Sequence, residues 1–142
     1  QLKRLLESQK MTEQEAECIR IRDIRRFVES RLGQRMKKAA MKKHLYREQP
    51  FVIQRSASML DDGWKNETVL VQGIIDAYFM EGDEIVLVDY KTDRVKRGQE
   101  QKLIDLYHVQ LEDYARALER MTGKRVKEKI IYSFTLQKEI LL

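Results

Sequence analysis

The chain has 142 residues, of which 42% are hydrophobic and 36% charged, with one proline and six glycines. This length suits one compact domain, and the composition excludes a disordered chain, a linker and a fibrous protein. The 28 Lys and Arg residues exceed the 23 Asp and Glu residues and give a net charge of +5. That charge is compatible with a polyanionic partner without requiring one.

The single cysteine, Cys18, limits the possible metal and redox chemistry. One cysteine excludes a disulfide framework, a zinc site built from cysteines and a four-cysteine iron–sulfur cluster, and it suits a reducing compartment. The sequence has neither a signal peptide nor an apolar run close to the roughly 20 residues of a membrane helix. We therefore expect a cytoplasmic protein that does not contact a membrane. Because the chain begins at Gln1, we also expect a fragment of a longer protein.

Residues 1–43 show the periodicity of helices. Thr12 and Glu15 form a capping-box signature, and Gly33 is expected to end a helix. From residue 35 to 47 the chain carries six Lys and Arg residues and no acid. Two interpretations of this basic segment remain open, a solvated helix face and a face that contacts phosphates.

The pattern changes to strands after Pro50, which cannot continue a helix. A turn signal at 61–63 precedes two β-rich runs, 69–80 and 85–91. Gly82-Asp83 between these runs is typical of a two-residue hairpin loop, so the runs are expected to pair antiparallel. The second run begins with four apolar residues, which indicates a central strand covered on both faces.

Beyond Gly98 the helical pattern returns, ends at Gly123 and is followed by a last strand at about 126–136. We expect a mixed α/β layer structure in one domain, with a helical segment at 1–43 and an α/β core at 44–142. One face of the predicted helix carries Tyr107, Gln110, Leu111, Tyr114, Ala115, Leu118 and Met121.

Two carboxylates are expected to meet across the hairpin. With Gly82-Asp83 as the loop, Asp76 lies opposite Asp89, and Lys91 projects from the same face two residues further on. A three-residue loop would separate the three side chains. Facing carboxylates on apolar strands require a cation, which is either Lys91 as a structural counter-ion or a hard divalent ion such as Mg²⁺.

The second solution suits phosphodiester hydrolysis. Asp76 and Asp89 would hold the metal, which polarises the phosphate and acidifies a bound water. Lys91 would orient or deprotonate the attacking water and stabilise the developing negative charge.

Three blocks of sequence resemble the catalytic motifs of the PD-(D/E)xK nuclease superfamily, in the version found in RecB-type nucleases. The blocks are Gly73-Ile74-Ile75-Asp76, Val88-Asp89-Tyr90-Lys91-Thr92-Asp93 and Gln110-Leu111-Glu112-Asp113-Tyr114. Three further segments resemble the C-terminal nuclease domains of the AddA family of helicase–nuclease subunits: Leu32-Gly33-Gln34-Arg35, Arg47-Glu48-Gln49-Pro50-Phe51 and Thr122-Gly123-Lys124. The resemblance spans about residues 20–136.

This resemblance implies a restriction-endonuclease-like core, a mixed central sheet flanked by helices. It implies Asp76, Asp89 and the backbone carbonyl of Tyr90 as ligands of Mg²⁺, which Mn²⁺ can replace, and Lys91 as the catalytic lysine. It also implies that Gln110 and Tyr114 border the active site and contact DNA, although packing of the helix on the sheet is the alternative.

Four other charged residues lie near these motifs. Arg94, Lys96 and Arg97, just beyond the active-site strand, are candidate DNA contacts, with solvated loop charges as the alternative. Glu48 matches a recurring acid of the family to which we assign no role.

The family pattern also includes a histidine on an upstream helix that completes the metal site. Neither His44 nor His108 matches it, and we expect both to be surface or packing residues. We expect the matching residue to precede Gln1, so that this fragment would bind metal weakly.

The resemblance implies a Mg²⁺-dependent DNA exonuclease domain of an ATP-dependent helicase–nuclease that processes double-strand-break ends for recombinational repair. The implied partners are single-stranded DNA ends and an AddB-type subunit. Nucleases of the AddB or CRISPR-adaptation type carry an iron–sulfur cluster, which one cysteine cannot hold. The remaining alternative is a catalytically weak or inactive module that binds DNA or a partner subunit.

Overall fold

The computed structural model describes residues 21–56 and 68–142. The predicted capping box at Thr12, Cys18 and the predicted turn at 61–63 lie outside these residues. The described helices are α1 (Ile21–Glu29), α2 (Arg31–Met41) and α3 (Glu100–Thr122). The strands are β1 (Leu45–Ser56), β2 (Thr68–Glu81), β3 (Glu84–Lys91), β4 (Val126–Ser133) and β5 (Lys138–Leu141).

The five strands form one mixed sheet in the order β1-β2-β3-β4-β5. β3 and β4 are parallel, and the other neighbouring strands are antiparallel. The connection between the parallel strands runs through α3, because parallel neighbours need a crossover and a helix usually supplies it. The predicted mixed α/β architecture is confirmed. Among the described residues, no helix is long and apolar enough to cross a membrane.

Strand β3 is central and is covered on both faces, as its apolar run predicts. Ile85 and Leu87 pack in the same cluster as α3, whereas Val86 and Val88 pack in a second cluster with α1 and α2. All four side chains are completely buried. Burying each of them contributes about 1.5–3 kcal/mol, so this strand anchors both layers of the domain.

The hairpin between β2 and β3 has the predicted loop and register. Glu81 pairs with Glu84 and Ala77 with Val88, which leaves Gly82-Asp83 as the loop. Gly82 has a φ of 63°, a conformation that glycine adopts at little cost. The register therefore brings the residues that follow Val88 toward the middle of β2.

Gly33 does not end a helix, and this prediction is wrong. The helices separate at Ser30, whose hydroxyl accepts a hydrogen bond from the Gly33 backbone N–H at 3.0 Å and caps α2. A Cβ atom at Gly33 would lie 2.2 Å from the carbonyl oxygen of Phe27. The glycine is thus required because the end of α1 approaches the first turn of α2.

Strand β1 begins at Leu45, five residues before the predicted transition at Pro50. Proline is tolerated within this strand because β1 is an edge strand of the described sheet. The basic segment 35–47 is consequently divided between α2 and β1. The α2 part covers the sheet face opposite α3, and Lys37 and Lys38 are exposed there.

In the C-terminal part, the end of the helix matches the prediction, but the strands that follow it do not. Gly123 has a φ of 70° and ends α3 by donating its N–H to the carbonyl of Glu119. Met121 in the last turn is 48% exposed, so the buried helix face ends at Leu118. The last predicted strand ends at Ser133, and a turn with Gln137 at a φ of 52° leads into the unpredicted strand β5.

Candidate active site

Asp76 and Asp89 lie together where the ladder between β2 and β3 ends. The last pair is Ala77 with Val88, and the next residue in each direction is an aspartate. Beyond that pair, the backbone N–H of Tyr90 donates a hydrogen bond to Asp76 Oδ2 at 3.0 Å. The side chain of Asp76 thus takes the position of a ladder partner. Exposures of 5% for Asp76 and 2% for Asp89 show that the pair is buried.

An irregularity in β1 and β2 accompanies this arrangement. Ile75 and Tyr78 both pack in the cluster with α3, although residues three apart on a regular strand point to opposite faces. The alternation of β2 therefore shifts by one residue around Asp76. Glu48 lies at the position of β1 opposite Asp76, is exposed and has a φ of 55°. Arg47 and Gln49 on either side of it are in register with residues of β2, and the register skips Glu48.

The side chain of Lys91 is held against the acid pair by three neighbours. Its Nζ atom lies 2.9 Å from Asp89 Oδ2 and donates a hydrogen bond to Gln110 Oε1 at 3.2 Å. The same atom lies 3.9 Å from the centroid of the Tyr107 ring, a cation–π distance. Lys91 is only 4% exposed, so these contacts replace most of its water.

The electrostatics of the site favour a further positive charge. Burial raises the pKa of Asp89 to about 7, the positive charge of Lys91 opposes this rise, and the negative charge of Asp76 adds to it. Burial and the charges of Asp89 and Asp76 also raise the pKa of the Tyr114 hydroxyl, which keeps it neutral. One lysine thus does not fully compensate two buried carboxylates.

The donor atoms at this site fit a hard divalent cation. Asp89 Oδ2 is buried and has no well-aligned hydrogen bond, although Lys91 is close enough for an ion pair. Carboxylate and carbonyl oxygens are the ligands that Mg²⁺ and Mn²⁺ prefer. Within 21–56 and 68–142, no group of three or more His, Cys, Asp or Glu side chains could hold a metal ion. Any third protein ligand in this part of the chain would therefore be a backbone carbonyl or a neutral side-chain oxygen.

Tyr90 can offer the site only its backbone. Its ring lies in the cluster on the other sheet face, 5.4 Å from the Phe27 ring, and its hydroxyl contacts Met36. This placement is compatible with the role that the resemblance implies for the Tyr90 carbonyl.

Helix α3 places Gln110 and Tyr114 one turn apart beside the acid pair. Gln110 contacts Lys91, and Tyr114 packs edge-on against Phe51 with ring centroids 5.1 Å apart. Tyr114 is 8% exposed, so its contribution to packing is substantial. Both residues also line a cavity of about 350 Å³ between α3 and strands β1 and β2.

The other predicted residues lie outside this cluster. Arg94, Lys96 and Arg97 are exposed in the loop after β3. His44 is exposed between α2 and β1, and His108 is exposed on α3 with its Nδ1 atom 3.1 Å from the Ile104 carbonyl oxygen. These placements agree with surface positions for both histidines.

Two features of the site were not predicted from the sequence. Tyr107 belongs to the predicted inner helix face, but nothing in its spacing indicates that its ring covers Lys91 and its hydroxyl donates to Asp93 at 2.7 Å. Arg55 lines the same cavity as Gln110 and lies 3.4 Å from Asp113. No sequence signal indicates this pair, because the residues are far apart in the chain.

Comparisons with known proteins show the family of the chain. The model of the PD-(D/E)XK nuclease superfamily matches residues 2–140. The chain is similar to the A subunit of the ATP-dependent helicase/nuclease of Clostridium novyi, with 39% identity over 99% of the chain. Similar proteins of the same name occur in Thermoanaerobacter sp., with 42% identity, and Acetivibrio thermocellus, with 44% identity, each over 94% of the chain.

The chain spans only 11–12% of the length of these curated relatives. The family match, in contrast, extends over nearly every residue and includes both aspartates, the lysine and the Gln110–Tyr114 turn. The chain therefore belongs to the PD-(D/E)XK nuclease superfamily.

Proposed function

We propose that this domain hydrolyses phosphodiester bonds of DNA in a reaction that depends on Mg²⁺, with Mn²⁺ as a substitute. The observation that carries the proposal is the meeting of Asp76, Asp89 and Lys91 on one face of the sheet, with the lysine 2.9 Å from a carboxylate oxygen. Family membership supports it independently.

The residues of the site have different roles in this reaction. Asp76, Asp89 and the Tyr90 carbonyl would hold the cation. When bound, the cation would supply positive charge at the scissile phosphate and lower the pKa of a water molecule. Lys91 would bind a phosphate oxygen or the attacking water and stabilise the negative charge that develops there.

Gln110 and Tyr107 position Lys91. Gln110 Oε1 accepts a hydrogen bond from Lys91 Nζ, and the Tyr107 ring covers the ammonium group. These contacts restrict the lysine to few rotamers, and preorganisation of this kind lowers the cost of reaching the transition state.

At the level of the whole protein, we propose an exonuclease domain of a helicase–nuclease that processes double-strand-break ends for recombinational repair. The similar proteins carry the name of the A subunit of an ATP-dependent helicase/nuclease, which supports this assignment. The partners that we propose are single-stranded DNA ends and an AddB-type subunit, and the proposed location is the bacterial cytoplasm. Because a nuclease that follows a helicase meets every sequence, we expect cleavage without base specificity.

The test is cleavage of end-labelled single-stranded DNA with Mg²⁺, with Mn²⁺ and with EDTA. Asp76→Ala, Asp89→Ala and Lys91→Ala should each abolish the metal-dependent cleavage. The matched control is Asp105→Ala, which alters an exposed aspartate on α3 and should cut DNA at the wild-type rate. Equal rates for the wild type and the three site variants would contradict the assignment.

A second candidate is a module that binds DNA or a partner subunit without cutting it. The burial of Lys91 and its ion pair with Asp89 also fit this alternative, since a purely structural pair would have the same geometry. Absence of cleavage by the wild type, together with salt-sensitive DNA binding that survives Asp76→Ala and Lys91→Ala, would support it.

A further inference from the structure

A stacked pair of tyrosines lies on the same sheet face as the acid pair and is not used by the proposed chemistry. Tyr46 on β1 is the direct partner of Tyr78 on β2. Their ring centroids are 4.8 Å apart with an angle of 16° between the ring planes, so the rings are stacked. Tyr78 is 5% exposed, whereas Tyr46 is 41% exposed. The buried ring thus supports an accessible ring from below.

The accessible ring borders a cavity of about 380 Å³ at the hairpin end of the sheet. The cavity is lined by both tyrosines, Met80, His44 and Lys124, among others. Lys124 Nζ donates to Asp83 Oδ1 at 2.6 Å, but both side chains of this ion pair are well exposed. Because exposed ion pairs contribute little, a phosphate group can compete for this lysine.

The position of the pair relative to the acid pair is set by the strand. Tyr78 is two residues beyond Asp76, which corresponds to about 7 Å along β2. Tyr78 packs in the cluster with α3, and Lys91, which pairs with Asp89, contacts α3 on that face. The stack therefore lies about one extended nucleotide from the carboxylates.

We propose that Tyr46, supported by Tyr78, is a stacking site for a base of single-stranded DNA next to the scissile phosphate. Lys124 and His44 would face the neighbouring backbone phosphate. Every base has a flat π-surface, so stacking gives affinity without base specificity, as a nuclease that must accept any sequence requires. The inference rests on the proposed nuclease function, because it names a substrate contact of the same site.

The occupant is single-stranded because a base in a duplex is already stacked on both sides. A flat exposed ring beside a charged pair also matches a nucleotide better than an apolar peptide, which would remove water from the exposed Lys124–Asp83 pair without replacing its hydrogen bonds. Binding of peptide alone, without DNA, is therefore an outcome that would overturn the proposal.

The test is fluorescence anisotropy of a labelled oligothymidine, measured without divalent metal so that no cleavage occurs. Tyr46→Ala and Tyr46→Leu should raise the dissociation constant by about 5- to 100-fold, the usual effect of losing one stacked base. Tyr46→Phe and Tyr46→Trp should keep the wild-type affinity. Val52→Ala, which alters a residue that is 60% exposed on the same strand, is the matched control and should have no effect.

Two further readouts separate stacking from a general loss of structure. Tyr46→Leu keeps an apolar cover on Tyr78, so its thermal unfolding should match that of the wild type while its DNA affinity falls. A 2-aminopurine placed in the oligothymidine should be quenched by the wild type at one position and not by Tyr46→Leu.

Unchanged affinity of Tyr46→Ala and Tyr46→Leu would overturn the stacking site, and so would an equal loss of affinity for blunt duplex DNA. If the wild type cuts DNA in the presence of Mg²⁺ while these variants bind normally, only the stacking site is wrong. If the wild type neither cuts nor binds single strands, the nuclease function fails and the stacking site fails with it.

Discussion

Three neighbours fix the position of the Lys91 ammonium group: the Asp89 carboxylate, the Gln110 amide oxygen and the Tyr107 ring. A lysine side chain has large rotamer freedom when it is exposed, and each contact reduces that freedom. Since Asp89 would also hold the cation, Gln110 is the neighbour whose removal tests positioning alone.

We expect Gln110→Ala to lower the rate of metal-dependent cleavage by about 10- to 100-fold, the range found for partners that orient a functional group. Cleavage of labelled DNA at saturating protein measures this rate. Gln101→Ala, which alters an exposed glutamine on the same helix, is the control. Metal affinity and thermal stability should not change in either variant, and wild-type cleavage by Gln110→Ala would contradict the positioning role.

At the level of residues, the sequence was sufficient for the acid pair because a two-residue loop and strict alternation determine which side chains meet across a hairpin. It was insufficient where the alternation shifts, near Glu48 and Asp76. The shift accompanies the positive φ of Glu48 and the hydrogen bond from the Tyr90 N–H to Asp76, and neither has a local sequence signal because both depend on tertiary packing. The ring of Tyr107 over Lys91 depends on helix placement for the same reason.

The junction between α1 and α2 depends on the absence of a side chain at Gly33. Alanine normally stabilises a helix relative to glycine, but here its Cβ would lie 2.2 Å from a backbone carbonyl oxygen. We expect Gly33→Ala to lower the free energy of unfolding by about 1–3 kcal/mol, as overpacking does. Urea denaturation measures this change, and Lys37→Ala on the exposed side of α2 should change it little. A stabilised Gly33→Ala variant would show that the two helices do not approach so closely.

A charged network connects α2 to the sheet. Arg35 donates two hydrogen bonds to Glu81, at 2.9 and 2.7 Å, and a further one to Glu128, and Lys127 lies 3.1 Å from Glu81. The hydrogen bonds from Arg35, together with the smaller effect of Lys127 and against the effect of burial, lower the pKa of Glu81 from 4.5 to about 2. The pKa of Arg35 is raised, chiefly by the hydrogen bond to Glu81.

This network predicts how stability depends on pH. A carboxylate whose pKa is lower in the folded state stabilises the protein above pH 4.5 and loses this contribution as the pH falls to about 2. We expect Glu81→Gln to be less stable than the wild type by about 1–3 kcal/mol at pH 7. The difference should disappear between pH 4.5 and 2 in urea denaturation. A difference that does not depend on pH would contradict the role of the charge.

At the level of elements, helix α3 and the hairpin were predictable because local signals, a glycine C-cap and a two-residue loop, determine them. Strand β5 was missed because only four residues form it. The start of β1 was missed because an edge position, which the sequence does not reveal, allows a proline within the strand.

In the whole molecule, the two groups of basic residues lie at different positions relative to the acid pair. Arg94, Lys96 and Arg97 follow the strand that carries Asp89 and Lys91, whereas the lysines of α2 lie beyond the opposite sheet face. This separation could not be predicted from the sequence, because the sequence does not show on which face of the sheet α2 packs. It favours the loop after β3, rather than α2, as a phosphate-binding surface.

Salt dependence of single-stranded DNA binding tests this surface. Replacing Arg94, Lys96 and Arg97 with glutamine should reduce the slope of log K against log salt by about 2, since each phosphate contact contributes about 0.7. The matched control replaces Arg31, Lys37 and Lys38, which carry the same charge and are exposed on α2. Equal reductions in both triple variants would mean that net charge alone, and not the loop, determines binding.

Calorimetric titration of Mn²⁺ into the protein at pH 7 shows whether the two buried aspartates form a metal site. The wild type should bind Mn²⁺, and Asp76→Asn and Asp89→Asn should each weaken binding by at least about tenfold, since each removes a charged oxygen ligand. Asp105→Asn should bind like the wild type. Equal Mn²⁺ affinity in the wild type, Asp76→Asn and Asp89→Asn would contradict the metal site.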